Sequence, residues 1–360
     1  MKTRTFILSL TLAGMLAASL SANACTGITL NSKDSTTIVA RTIEWGGSDL
    51  NSQYVIVPRG YTMRSYTPDG SEGMQFTSRY GYVGLAVEQK EFIAEGINEA
   101  GLSAGLFYFP NYGQYEAYDA EKKDTSIADL QLVAWILGKC ATIDEAIESV
   151  KQVHVIRIDP RASTVHWRFA DPAGRQVVLE IIGGEPKFYE NKLGVLTNSP
   201  GFEWQLTNLN NYVNLYPGSA PTQSLGNVRL ASFGAGSGFL GLPGDVTPPS
   251  RFVRAAFYQA TAPRQDDAEK TVLQAFQILN NFDIPVGIEF ADGKVPADIP
   301  SATQWTSATD MKNRIIYFRT MYNSEIRAIN LNQIDFSEVA YQAIPLDNTK
   351  QQPIRTIPIK

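Results

Sequence analysis

Cysteine and histidine are scarce in this sequence, which has only two of each among 360 residues. A secreted protein held together by disulfides usually carries more cysteines. The count permits a bridge between Cys25 and Cys140, but Cys140 ends an amphipathic stretch and is expected to be a buried residue at a helix end. His154 and His166 have no cluster of cysteines or carboxylates around them, so the sequence predicts no metal site. The alternating pattern around His166 indicates a structural strand residue.

Long apolar runs are absent beyond the N-terminus. Residues 6–20 are mainly apolar, follow two basic residues and precede an Ala-Asn-Ala segment at positions 22–24, a pattern typical of signal peptides. The run is too short for a comfortable transmembrane helix, which needs about 20 residues, so a retained membrane anchor is the weaker interpretation. We therefore predict that residues 1–24 are a removed signal peptide, that Cys25 becomes the first residue, and that the protein is secreted or periplasmic and free of the membrane.

A strongly basic face is missing as well. The formal net charge is −5, and the basic residues of the leader account for part of the positive charge that offsets the acidic residues. Lysines and arginines are scattered along the chain, whereas binding of phosphates needs a basic face. The sequence therefore argues against a nucleic-acid partner.

Strand-like patterns lie early, in the middle and late in the chain, with two helical groups between them. Strands are predicted at residues 26–30 and 36–41, joined by a hairpin turn. Capping boxes predict helices that begin at Ser126 and at Thr142. Sheets covered by helices, an α+β layered fold, suit this order best. Because no linker rich in proline, glycine and serine divides the chain, residues 25–360 are predicted to form a single domain.

Loss of the leader would give Cys25 both a nucleophile and a base. An α-amino group has a pKa near 7.7–8.0, so it can accept the proton of its own thiol near neutral pH. No catalytic histidine is then needed. The alternative is a lipidated binding protein anchored through Cys25, but lipoprotein signals usually have leucine three positions before the cysteine, where this chain has Ala22. Ordinary cleavage fits that residue better.

Several motifs, each weak alone, occur in an order that resembles the choloylglycine hydrolase family, which contains bile salt hydrolases and penicillin V acylases. They are CTG at 25–27, RTIE at 41–44, EGINEAGL at 95–102, VLTNSP at 195–200, LTNLNNY at 206–212, GLPGD at 241–245, SRFVR at 250–254 and the segment 311–320. The resemblance spans most of residues 25–330. It implies a four-layer αββα sandwich, the N-terminal nucleophile hydrolase fold.

The resemblance also implies a role for individual residues. Cys25 matches the nucleophile and Arg41 an arginine beside the thiol, where a positive charge favours the thiolate. Arg251 matches a second active-site arginine. Asn198 matches a side-chain donor of the oxyanion hole, and Tyr108 stands where the family contributes its backbone donor.

Three further positions concern the amino group and the substrate. The family usually has aspartate where this chain has Glu44, and that carboxylate holds the α-amino group, so the longer glutamate requires local adjustment. Ile43, Trp45 and Tyr108 match positions that contact the substrate. Penicillin V acylases often carry tyrosine at the position of Tyr108, where bile salt hydrolases commonly carry asparagine, and the indole of Trp45 could stack on an aromatic acyl group.

The resulting hypothesis is hydrolysis of a linear amide through an acyl-enzyme on Cys25, with no cofactor. The expected partner is a small amphipathic amide, with penicillin V first, conjugated bile salts second and N-acyl homoserine lactones third. The family often forms tetramers, and residues 213–240, rich in glycine and proline, are predicted to be a loop of a homotetramer that clasps a neighbouring subunit.

Overall fold

The computed structural model describes residues 23–158, 163–290 and 296–359. The predicted signal peptide therefore lies outside the described residues except for its last two positions. In the described ranges, no helix combines the length and the apolar character that crossing a membrane requires.

The described residues form nineteen β-strands and five α-helices. The strands of the first half are β1 (Asn23–Asn31), β2 (Thr37–Trp45), β3 (Gln53–Val57), β4 (Thr62–Tyr66), β5 (Glu72–Thr77), β6 (Tyr82–Ala86), β7 (Ile93–Asn98), β8 (Ser103–Tyr108) and β9 (Ser126–Ala128). Those of the second half are β10 (His154–Ile156), β11 (Val165–Ala170), β12 (Gln176–Ile182), β13 (Glu185–Glu190), β14 (Gln223–Leu225), β15 (Val228–Leu230), β16 (Thr303–Asp310), β17 (Ile315–Thr320), β18 (Arg327–Asn330) and β19 (Gln342–Pro345). The helices are α1 (Leu132–Lys139), α2 (Ile143–Val150), α3 (Phe202–Asn208), α4 (Pro248–Thr261) and α5 (Ala268–Leu279).

Two antiparallel sheets make up the centre of the molecule. One has five strands in the order β1-β2-β16-β17-β18, and the other has eight in the order β13-β12-β11-β8-β7-β6-β3-β19. Helices α4 and α5 pack on the five-stranded sheet, and α1 and α2 pack on the eight-stranded sheet. The two sheets face each other, and β1 of the first contacts β8 of the second. The layers are helix, sheet, sheet and helix, which confirms the predicted α+β fold and its four-layer αββα arrangement.

Both sheets are covered on both faces, so their central strands are buried along their whole length. Strands β7 and β11 have every residue buried, and β2 has every residue buried except the last. Charged side chains on these strands therefore lie in the dry space between layers, where an ion needs a partner. The candidate active site is built from such buried side chains.

The capping boxes had different outcomes. At Thr142 the prediction is confirmed, because its hydroxyl oxygen accepts a hydrogen bond from the Glu145 N–H at 3.1 Å and α2 follows. At Ser126 the prediction is wrong, because this residue begins β9, which pairs in parallel with β10. The Ser126 hydroxyl donates to the Lys122 carbonyl at 2.9 Å. The hydroxyl therefore belongs to the preceding turn, and α1 begins only at Leu132.

Candidate active site

The hairpin of β1 and β2 places Cys25 and Arg41 side by side. Cys25 lies opposite Ile43, and Gly27 lies opposite Arg41, so the thiol and the guanidinium are diagonal neighbours on one face. Arg41 Nη2 donates to Cys25 Sγ at 2.8 Å. Gly27 is needed here, since a Cβ at that position would lie 3.0 Å from the ring of Phe107 on the facing sheet. The two residues that the resemblance paired are thus in direct contact.

The electrostatics of the Cys25 thiol are a balance between burial and charge. Burial is the largest effect and raises the pKa of Cys25, and the Glu44 carboxylate raises it further. Arg41, the backbone N–H of Tyr108 and Arg251 each lower that pKa. The pKa is raised on balance in this structure, in which Cys25 is only 4% exposed and still joined to Ala24. The Tyr108 N–H that favours the thiolate is the group predicted as an oxyanion donor.

Asn198 connects the main chain of Cys25 with β8. Its Oδ1 accepts from the Cys25 N–H at 2.8 Å and from Arg251 Nη2 at 2.6 Å. Its Nδ2 donates to the Tyr108 carbonyl at 2.7 Å. An amide nitrogen carries two protons, so one remains for an oxyanion beside Cys25. The role of Asn198 as an oxyanion donor stays a prediction.

A buried histidine holds the segment that carries Asn198. His166 on β11 is fully buried, and its Nε2 lies 3.0 Å from the Thr197 carbonyl while its Nδ1 lies 3.2 Å from Glu180 Oε1. Its ring stacks on Phe109 with centroids 4.4 Å apart. His166 is thus a strand residue with a positioning contact. The alternating pattern predicted the strand, but no sequence signal indicated the contact with Thr197.

Arg251 contacts the backbone of Cys25. It lies in the first turn of α4, fully buried, and its Nη1 donates to the Cys25 carbonyl at 2.5 Å and to Thr26 Oγ1 at 2.8 Å. Burial lowers the pKa of Arg251, and the charges of Glu44 and Cys25 oppose that lowering. The arginine therefore fixes the orientation of Cys25 from the helix layer.

Two carboxyl groups lie near the junction of Ala24 and Cys25. Glu44 is opposite Ala24 in the β1–β2 ladder, and burial raises its pKa to about 8, although Arg251 opposes the effect. The nearby Thr42 hydroxyl also lowers that pKa, although neither carboxylate oxygen of Glu44 meets the geometry of a hydrogen bond within the described part of the chain. Its contact with a free amino group stays a prediction, because Ala24 still occupies that place. The second carboxyl group, Glu289, has a pKa raised by burial to about 7.

Sequence reasoning missed Glu289. Its carboxylate lies against the end of β2, since a Cβ on Gly46 would be 2.8 Å from Glu289 Oε2. The residue belongs to no motif, and its approach to Gly46 depends on the tertiary fold. The local sequence offered one sign of this contact, namely Gly46 directly after Glu44 and Trp45, since a glycine allows another group to come close.

The predicted substrate contacts are placed unequally. Ile43 lies directly opposite Cys25 and is buried, and Tyr108 ends β8 with its N–H toward the thiol. Trp45 lies at the end of β2, half-buried, and its Nε1 donates to Ser48 Oγ at 2.9 Å. Ile43 and Tyr108 are therefore at the site, and contact of these three residues with a substrate stays a prediction.

A separate cleft of about 600 Å³ lies at the other end of β1. It is lined by polar side chains such as those of Thr29, Gln176, Gln259 and Arg264, and none of the site residues lines it. Its volume would accommodate a small molecule, but Cys25, Asn198 and Tyr108 lie elsewhere. We therefore assign the chemistry to the Cys25 end of the strand.

Several known proteins are similar to this chain over most of its length. The family model described as linear amide C–N hydrolases, choloylglycine hydrolase family, matches residues 25–349. A bile salt hydrolase/transferase from Clostridium perfringens is 31% identical over 323 residues, which are 88% of this chain and 95% of the relative. One from Lactiplantibacillus plantarum is 32% identical over 335 residues, with shares of 91% and 98%.

Solved structures with a similar fold include two amide hydrolases. The conjugated bile acid hydrolase from Clostridium perfringens superposes with a TM-score of 0.79 at 29% identity and covers 93% of this chain and 100% of its own. The penicillin V acylase from Agrobacterium tumefaciens has a TM-score of 0.72 at 22% identity, with coverage of 91% and 93%, and shows likeness of fold. The chain belongs to the choloylglycine hydrolase family of linear amide C–N hydrolases.

Proposed function

We propose that this chain hydrolyses the amide of conjugated bile salts, with Cys25 as nucleophile. The observation that carries the chemistry is the thiol of Cys25 at 2.8 Å from Arg41 Nη2, with Asn198 and the Tyr108 N–H beside it. The substrate class is favoured by the two relatives, which are named bile salt hydrolase/transferase and are matched over almost their full length. Penicillin V, the first expectation from Tyr108 and Trp45, becomes the second candidate, because the acylase supports the fold alone.

The reaction would take place in two steps. The thiolate attacks the amide carbonyl, an S–C bond forms, and the negative oxygen accepts hydrogen bonds from Asn198 Nδ2 and the Tyr108 N–H. The C–N bond then breaks, and the departing amine takes the proton that the Cys25 α-amino group received from the thiol. Water cleaves the thioester, which releases the free acid and restores the thiol. Apart from the water that hydrolyses the thioester, the steps use groups of the chain itself.

The mechanism requires removal of residues 1–24, which we propose as a consequence of export. Ala24 is buried at 4% exposure and packs with Ile284 and Ala302. Its departure would free the place opposite Glu44, where the new ammonium group would then lie. Opening this space would also reduce the burial that raises the pKa of Cys25. Secretion and cleavage are supported by the leader pattern alone, and retention through a lipid on Cys25 is the competing possibility.

We also propose that the mature protein self-associates through residues 213–240, as a homotetramer. Several apolar side chains of this segment are strongly exposed in the single chain: the exposed fraction is 89% for Val213, 73% for Leu225 and 83% for Leu240. Apolar side chains exposed to this degree are typical of a surface that another molecule covers. Light scattering of the purified mature chain is expected to give four times the mass of one subunit, and a monomeric mass at micromolar concentration would reject the proposal.

A substrate panel tests the substrate class. We expect kcat/KM for glycocholate or taurocholate to exceed that for penicillin V by tenfold or more. A steroid buries on the order of 100 Å² more apolar surface than a phenoxymethyl group, which is about 2.5 kcal/mol. Aromatic stacking on Trp45 or Tyr108 adds only about 0.5–1.5 kcal/mol. The panel should include an N-acyl homoserine lactone. A tenfold preference for penicillin V would reverse the assignment while leaving the amidase mechanism intact.

A further inference from the structure

Three residues on neighbouring strands of the eight-stranded sheet form a row behind the active site. Glu95 on β7 lies opposite Gly105 on β8, and Gly105 lies opposite Arg168 on β11. Directly opposite residues project to the same face of a sheet. Because Gly105 has no side chain, the other two meet across it, and a Cβ on Gly105 would overlap Glu95 Oε2. Arg168 Nη2 donates to Glu95 Oε1 at 2.5 Å.

This row faces Arg41, the arginine that contacts the nucleophile. Arg41 Nη1 lies 3.8 Å from Glu95 Oε2, a longer separation than that between Glu95 and Arg168. The same Nη1 donates to the Ala94 carbonyl at 3.0 Å and to the Leu106 carbonyl at 2.5 Å. The guanidinium of Arg41 is therefore held by backbone carbonyls of the two neighbouring strands β7 and β8, and the Glu95 carboxylate is engaged mainly by Arg168.

The charges of this cluster do not cancel. The side chains of Arg41, Glu95 and Arg168 are at most 2% exposed, so solvent screens them little. Two guanidinium groups and one carboxylate leave one net positive charge. A buried charge is unfavourable without a partner, and a thiolate on Cys25 supplies that partner at 2.8 Å from Arg41. Without Arg168, Glu95 would neutralise Arg41, and the thiolate would lose this stabilisation.

We propose that Glu95 and Arg168 are positioning residues that maintain a net positive charge beside the Cys25 sulfur through Arg41. Neither residue touches the thiol, and both act through the guanidinium between them and the nucleophile. The proposal rests on the proposed role of Cys25 as the nucleophile. It assigns a function to Arg168, which the sequence showed only as part of an alternating strand.

Other ionisable groups also face this region. Glu44, Arg251 and Glu289 surround Cys25 from β2, α4 and the loop that follows α5, while His166 and Glu180 lie on β11 and β12. They are unchanged in the variants described below, as is the α-amino group of the mature chain. Differences among those variants therefore do not arise from changes in these groups.

The test measures the acidity of Cys25 without turnover. In a Cys140→Ala chain shown by mass to begin at Cys25, the rate of alkylation by iodoacetamide is followed against pH, and modification is located by peptide mass spectrometry. Arg168→Met should raise the apparent pKa of Cys25 by about one pH unit, and Glu95→Gln should lower it by about one pH unit, as expected for one added or removed neighbouring charge.

Combined and control variants separate charge from damage to the fold. The double variant Glu95→Gln/Arg168→Met has the wild-type net charge, so its pKa should return to near the wild-type value. Arg168→Lys keeps the positive charge, so the apparent pKa of Cys25 in this variant should lie close to the wild-type value. Arg175→Met should leave the pKa unchanged, because Arg175 is surface-exposed and paired with Glu190 and Asp144. Disruption of packing would move both single variants in the same direction, whereas the charge argument requires opposite directions.

Two results would overturn the proposal. One is a shift of the same sign in both single variants, and the other is an unchanged pKa in Arg168→Met. Glu95→Gln leaves Arg168 unpaired, and this variant could fail to fold for that reason. In that case Arg168→Met is compared with the double variant, and equal pKa values of Cys25 in the two would reject the proposal. Failure of bile salts as substrates would leave this test unaffected, since alkylation requires no substrate.

Discussion

Replacing Cys25 with alanine is expected to reduce kcat by a factor of about 10⁵ or more, because the variant has no atom that can form the acyl-enzyme. The same change at Cys140 should leave kcat within about twofold. Cys140 is fully buried at the end of α1, and its sulfur lies 3.5 Å from Ser149 Oγ. The helix α1 packs on the eight-stranded sheet at β7, away from the five-stranded sheet that carries Cys25. The two cysteines thus form a matched pair of buried, free thiols.

The comparison requires that both variants fold. Loss of the Cys25 sulfur removes one acceptor of Arg41, whose guanidinium keeps the carbonyls of Thr42, Ala94 and Leu106. The expected loss of stability is therefore modest, about 1–2 kcal/mol, and thermal unfolding by circular dichroism measures it. Turnover of the best substrate in the panel is then measured for both variants. Inactivation by Cys140→Ala together with activity of Cys25→Ala would show that the wrong cysteine was chosen.

The sequence predicted those parts of the site that depend on local signals. The hairpin of β1 and β2 is a pair of adjacent strands with a turn between them, and its register brings Cys25 next to Arg41. The motifs around Asn198 and Arg251 predicted two residues that meet at a 2.6 Å hydrogen bond. Short-range patterns and the order of the motifs were sufficient to identify these residues. Each of them lies within a motif on a single strand, helix or loop, and the fold of the family fixes which elements are neighbours.

Strand β16 could not be predicted from its pattern. It lies between β2 and β17 in the five-stranded sheet and is buried at every position. A strand buried on both faces usually reads as an apolar run, whereas this one reads TQWTSATD. Its polar side chains are accommodated by specific hydrogen bonds, such as those from Gln304 Nε2 to the carbonyls of Trp45 and Ser48 at 2.7 and 2.6 Å. Such partners are distant in sequence and leave no periodic signal.

The row behind Arg41 could not be predicted for a related reason. Glu95, Gly105 and Arg168 meet only when three strands adopt one register. A glycine within a strand suggests close approach of another group, but it does not identify which group. Working out the charge balance around Cys25 therefore requires the tertiary structure, whereas Cys25 itself could be singled out from the sequence.

A one-residue difference at the N-terminus should decide whether the α-amino group is the base. Two chains are expressed without the leader, one as Met-Cys25 and the other as Met-Ala24-Cys25. The cell removes the initiator methionine before small residues, so the products begin at Cys25 and at Ala24. In the second product the Cys25 nitrogen is a peptide nitrogen and cannot accept a proton. We expect kcat/KM to be lower in this chain by about 10²–10⁴, the usual contribution of a general base, or more.

The structure makes the longer chain a close control, because it already contains Ala24. The residue is accommodated against Ile284 and Ala302, and the Cys25 N–H donates to Asn198 Oδ1 at 2.8 Å. The fold and the oxyanion donors are therefore preserved, and intact mass establishes where each chain begins. Equal kcat/KM values for the two chains would reject the α-amino group as the base. If Cys25 served instead as a lipid anchor of a binding protein, neither chain would show turnover, so activity of the chain that begins at Cys25 also excludes that alternative.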